Sequence, residues 1–128
     1  MRIIVISTQN SLLSGAISKY LRDRSEMRPE CVPGDHAGET ADICRAVSAD
    51  ILLMEVAYAS PFSFDDRMAA TRLVRQYLPG CRVAFLCDEN ASPDLAEKVK
   101  DAKKLGFIDG FFYCSVSGDY LAAALDTM

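Results

Sequence analysis

Apolar and polar positions along this chain keep switching between two periods. Arg2-Ile3-Ile4-Val5-Ile6 is a β-branched run with no alternating polar face, the pattern of a strand buried on both sides. From Ser11 to Arg24, Leu13, Ala16, Ile17, Tyr20 and Leu21 recur at the spacing of one helical face. Glu30-Cys31-Val32-Pro33 reads as a weak second strand, and its proline suits a sheet edge. Glu39 to Ala49 predicts a second helix with Ile43, Ala46 and Val47 facing inward, and Asp50 to Val56 a third strand. A third helix over Asp65 to Leu78 carries Ala70, Leu73, Val74 and Tyr77, and Pro79-Gly80 stops it.

The same rhythm continues to the end. Arg82-Val83-Ala84-Phe85-Leu86-Cys87 is the fourth strand. Ser92-Pro93 predicts a capped helix start, with Leu95, Val99 and Ala102 inward and Gly106 after Leu105 as the stop. Gly110-Phe111-Phe112-Tyr113-Cys114 is the fifth strand, and Ser117 caps a last helix that buries Leu121, Ala124 and Leu125. Five strand–helix units with short connections imply a parallel sheet covered on both faces. Right-handed crossovers leave few windings, and the doubly wound order 2-1-3-4-5 is the simplest. The expected architecture is an α/β three-layer sandwich, one domain over residues 1–128.

Composition narrows the function classes. The chain has 128 residues, half of them hydrophobic and a quarter charged, which is ordinary globular composition. Its net charge of −4 is shared evenly between its two halves, leaving no basic footprint for nucleic acid or an anionic membrane. No apolar run approaches the ~20 residues of a membrane span, so the expected location is the cytoplasm. The five cysteines, Cys31, Cys44, Cys81, Cys87 and Cys114, include no C-x-x-C, and His36 is the single histidine. A zinc site is not expected, and the thiols read as reduced, small buried hydrophobes. His36 has no evident nucleophile partner, so no enzymatic activity, metal or cofactor is expected.

In an open parallel sheet, ligands and chemistry collect at the C-terminal ends of the strands. Four loops reach that rim: Ser7 to Asn10, Val56 to Phe64, Cys87 to Ala91 and Cys114 to Val116. Glu55 ends the apolar run Ile51-Leu52-Leu53-Met54, and an ionisable group there should emerge at the rim. In this strand framing the chain resembles the receiver domains of bacterial two-component response regulators, across essentially its whole length. Ser7 and Thr8 follow the first strand where receivers have two acids. Glu55 stands where they have the phosphoryl-accepting aspartate, Cys87 where they have a threonine or serine, and Cys114 where they have a lysine. Phe111 falls at the position of the family's switch aromatic.

The departures each remove one step of phosphoryl transfer. Magnesium demands hard carboxylate oxygens, and Ser7 and Thr8 offer only neutral hydroxyls. Cys114 supplies no cation for an incoming phosphate, Cys87 is a poor hydrogen-bond donor, and Glu55 is a methylene too long. The resemblance therefore implies a degenerate receiver, independent of phosphorylation, that acts in signal transduction or transcriptional regulation through protein contacts. Its implied partner surface is the face made by the fourth helix, fifth strand and fifth helix, around Lys100, Lys104 and Phe111, with a homodimer as the simplest case. A DNA-binding output domain commonly follows a receiver, and none is expected within residues 1–128.

Several residues carry a plainer reading beside a sharper one. Glu55 is either a phosphate mimic or a polar strand-end residue bonded to the Ser7 and Thr8 hydroxyls, and the latter is expected. Cys87 and Cys114 end neighbouring strands, as a redox pair or as two unlinked thiols. Tyr58, Pro61, Phe62 and Phe64 form an aromatic loop that is either a partner-binding lip or a flap on the rim. Lys98, Lys100, Lys103 and Lys104, interrupted by Glu97 and Asp101, read as a solvated helix face. The alternative from another class is a flavodoxin-like binder of a flavin or other phosphate-bearing ligand, held by the hydroxyl-rich stretch Ser7-Thr8-Gln9-Asn10-Ser11 at the first helix's N-terminus.

Overall fold

A computed structural model describes residues 1–88, 90 and 93–128. Five strands, β1 (Ile3–Ser7), β2 (Arg28–Val32), β3 (Ile51–Val56), β4 (Arg82–Cys87) and β5 (Gly110–Tyr113), form one all-parallel sheet in the order 2-1-3-4-5. Five helices connect and cover them: α1 (Ser11–Arg24), α2 (Thr40–Val47), α3 (Phe64–Tyr77), α4 (Pro93–Lys104) and α5 (Gly118–Asp126). A 3-10 turn, Gly34–Glu39, precedes α2. The doubly wound expectation holds.

Strand alternation sorts the core into two layers. Val5, Leu52, Met54, Val83 and Phe85 point to one face, under α2, α3 and α4, where Cys44, Val74, Leu95 and Val99 meet them. Ile4, Ile6, Ile51, Leu53, Ala84, Leu86 and Phe112 point to the other, under α1 and α5, against Ile17, Leu21, Leu121 and Leu125. Strands buried on both faces have no polar period to show, which is why they read as continuous apolar runs.

The helix starts follow local chemistry. Asn10 caps α1 by accepting from the Leu12 amide at 2.8 Å, Ser63 caps α3 by accepting from Asp66, and Ser117 caps α5 by accepting from Tyr120. Gly106, at φ +82°, closes α4 with its amide on the Lys103 carbonyl, while the Phe107 amide reaches Ala102. The expected Ser92 cap lies outside the described residues.

Three expectations are corrected. β2 begins at Arg28 and contains Pro29, while Pro33 lies beyond it; as an edge strand it tolerates the missing donor. In α2 the inward residues are Ala41 and Cys44, Ile43 and Val47 flank them, and Ala46 is exposed. In α3 the buried stripe is Arg67, Thr71 and Val74, and Leu73 and Tyr77 face outward. A stripe led by arginine and threonine has no hydrophobic signature in sequence.

Candidate functional site

At the β1 end of the sheet's C-terminal rim the hydroxyls are turned inward. Ser7 and Thr8, which follow one another at the end of β1, are completely buried. The Thr8 hydroxyl donates to the Asn10 carbonyl at 2.7 Å and pairs with the Ser14 hydroxyl at 2.6 Å. The Ser7 hydroxyl lies 3.5 Å from that of Thr40, which itself donates to Ala37. The 3-10 turn lies over this loop so closely that a Cβ on Gly34 would sit 3.2 Å from the Gln9 carbonyl oxygen. A side chain there would require the Gln9 backbone to give by a few tenths of an ångström. With Asn10 spent on the helix cap and Ser7 and Thr8 buried, the hydroxyl-rich stretch offers little to a ligand, and the phosphate-cradle reading finds no support.

Glu55 is half-buried and does not bond the Ser7 or Thr8 hydroxyls. One carboxylate oxygen accepts from the Gln9 amide at 2.8 Å and the other from the Gln9 side-chain amide at 3.4 Å. Its expected partners are already engaged elsewhere, so the acid caps the backbone of the β1–α1 loop instead.

The residue that organises the rim is Arg67, which sequence reasoning missed. It rises from the first turn of α3 and is only 1% exposed. Its Nε donates to the Glu55 carbonyl oxygen at 2.7 Å and Nη2 to the Ser7 carbonyl oxygen at 3.1 Å, so one guanidinium ties the ends of β1 and β3 together. The Phe62 ring lies beneath it, 4.8 Å from the guanidinium carbon. Burial pushes the Arg67 pKa down to about 10, against the opposing pull of the Glu55 and Asp66 carboxylates. It therefore stays charged at neutral pH. The one signal available in sequence was indirect: an acid at the end of β3, facing a rim without its lysine, needs a cation from somewhere.

The remaining rim residues separate. Cys87 is buried with the α3–α4 core layer, where burial and the nearby Asp88 and Glu55 carboxylates push its thiol pKa up. Cys114 packs with the α1–α5 layer. The backbones are adjacent, with the Cys114 amide on the Cys87 carbonyl at 3.0 Å, yet the two side chains belong to opposite faces of the sheet. That arrangement opposes a disulfide between them. Phe111 is half-buried and packs edge-on against Tyr113, with ring centroids 5.4 Å apart. Phe62 and Phe64 fold inward, the latter edge-on to Phe85, whereas Tyr58 projects outward at 64% exposure. The aromatic loop is thus a flap on the rim with one outward tip. Lys100 and Lys104 lie on the exposed side of α4. Among the described residues no group of three His, Cys, Asp or Glu side chains is placed to hold a metal ion, and no helix is long and apolar enough to cross a membrane.

No family model matches the chain, and no curated protein matches it in sequence. Solved structures do. A DNA-binding response regulator of the LuxR family from Staphylococcus aureus superposes with a TM-score of 0.77 at 9% identity, covering 99% of this chain and 98% of that one. Vibrio cholerae chemotaxis protein CheY4 gives 0.75 at 16% identity over 99% and 98%. A putative pilus assembly-related protein from Burkholderia pseudomallei gives 0.69 at 17% over 99% and 88%. At these identities the likeness is one of fold. The chain has the flavodoxin-like α/β architecture of response-regulator receiver domains.

Proposed function

We propose that residues 1–128 act as one receiver unit that works without phosphorylation, in the cytoplasm, in signal transduction or transcriptional regulation, through contact with a protein partner. One observation carries this reading: a permanently charged guanidinium, Arg67, is buried across the ends of β1 and β3, beside Glu55. A receiver that cycles needs an exchangeable charge at this point, a metal ion and then a phosphoryl group, and space for both. Here the charge is built into α3, and Ser7 and Thr8 are sealed under the turn at Gly34. Glu55 serves as a structural acid, holding Gln9. Output passes through the α4–β5–α5 face, where Lys100 and Lys104 are solvent-exposed and half-buried Phe111 joins surface to core, to a partner protein or a second copy. No cofactor or nucleic-acid contact belongs to this reading.

Intact-mass measurement after incubation with acetyl phosphate and magnesium tests it. The mass should stay unchanged. A stable adduct about 80 Da heavier, mapped to Glu55, overturns the proposal.

A further inference from the structure

An apolar space, partly open to solvent, is unrelated to the polar rim. It lies between α1, α5 and the back of the sheet, is lined by Leu13, Ile17, Leu86, Val116 and Leu121, and has a volume of about 110 Å³. Its lining is almost wholly apolar, so water within it makes few hydrogen bonds to the protein and is displaced at little cost by an apolar group. A dry apolar cavity only somewhat larger, about 150 Å³, accepts benzene or xenon in an engineered protein. The size here suits a compact, uncharged molecule of about six non-hydrogen atoms, anything larger reaching into the open mouth, and a charged group would lose its hydration without compensation.

The mouth of this space is specifically built. Tyr20, 42% exposed, lies across it from α1 and rests on the bare backbone of Gly118 at the start of α5. A Cβ on Gly118 would overlap the Tyr20 ring, so this seating exists only because residue 118 is glycine. The inner wall reaches the sheet ends: Leu86 immediately precedes Cys87 in β4, and Cys114 immediately follows β5. An occupant would therefore touch the back of β4 and the end of β5.

We propose that the α1–α5 cavity is a binding site for a small, neutral, aromatic or hydrocarbon molecule, with Tyr20 as its lid. This rests on the cavity alone and stands whether or not Glu55 can be phosphorylated. The test is amide NMR and thermal unfolding of the full chain with benzene, indole and benzoate as probes. Benzene or indole should give saturable shifts at Leu13, Ile17, Val116 and Leu121. At ten times Kd either should raise Tm by about 5 °C. Benzoate should bind at least about tenfold more weakly. Ala16→Leu, at an exposed helical position, and Val116→Phe each fill the space from a different side and should weaken indole binding by about tenfold or more. Their unliganded amide spectra report whether each variant is folded. No saturable shift from either neutral probe overturns the proposal. So does benzoate binding as tightly as benzene, or binding that persists in both folded filling variants.

Discussion

At the scale of single residues, the rim is governed by where one cation is buried. A guanidinium presents fixed donors in a planar fork, and two of them reach carbonyls on two different strands. Arg67→Met would leave the Ser7 and Glu55 carbonyls without this donor. The expected loss is about 3 kcal/mol in urea unfolding, from two charge-assisted hydrogen bonds whose acceptors are left unsatisfied. Arg67→Lys should recover only part of it, since a single ammonium does not reproduce the fork. Glu55→Gln should cost about 1 kcal/mol or less, because a glutamine oxygen can still accept from the Gln9 amide. A Glu55→Gln variant less stable than Arg67→Met would mean that the acid, rather than the arginine, organises the rim.

At the scale of elements, what could be read in the sequence depended on whether burial was apolar. β1, β3 and β4 were legible because each is buried on both faces, α4 because a glycine stop marked its end and α5 because a serine cap marked its start. The edge strand β2, with exposed positions, was only half legible, and Ala16 and Tyr20 of the apolar stripe expected in α1 are exposed. The buried stripe of α3 was hidden because Arg67 and Thr71 look like surface residues, while Leu73 and Tyr77, which look like core, face outward. The turn over Ser7 and Thr8 was hidden for a different reason. Its Gly34 matters only through a contact with Gln9, a segment distant in sequence. The seat of Tyr20 on Gly118 is the same kind of long-range fact. α4 offers the complementary case, a helix whose outward face is simply solvated and therefore available. If Lys100 and Lys104 mark the face that self-associates, Lys100→Glu combined with Lys104→Glu should move the sedimentation profile toward monomer. Tyr58→Ser, on the outward tip of the rim flap, should leave it unchanged. A profile altered only by Tyr58→Ser would transfer the interface to the flap.

At the scale of the whole molecule, the α2–α3–α4 core layer carries buried thiols that couple stability to alkaline pH. Burial pushes the Cys44 pKa from 9.0 up to about 12, and burial with the nearby Asp50 carboxylate pushes Cys81 up to about 11. Both shifts keep the folded thiol protonated where the unfolded one ionises. The stability they contribute is complete below pH 9 and is lost as pH rises through the folded values. Arg67 works the other way, since its pKa is lowered by burial, but its contribution changes only above pH 10. Between pH 8 and 10 the thiols therefore act without opposition from Arg67. Cys44 alone should remove about 1 kcal/mol over that interval, and Cys81 adds in the same direction. Urea unfolding under reducing conditions at stepped pH values should show this decline. Cys44→Ala should lower stability at pH 8 through the smaller side chain in the core, yet flatten the slope from pH 8 to 10. A slope equally steep in Cys44→Ala and in Cys81→Ala would place the alkaline sensitivity outside this core layer.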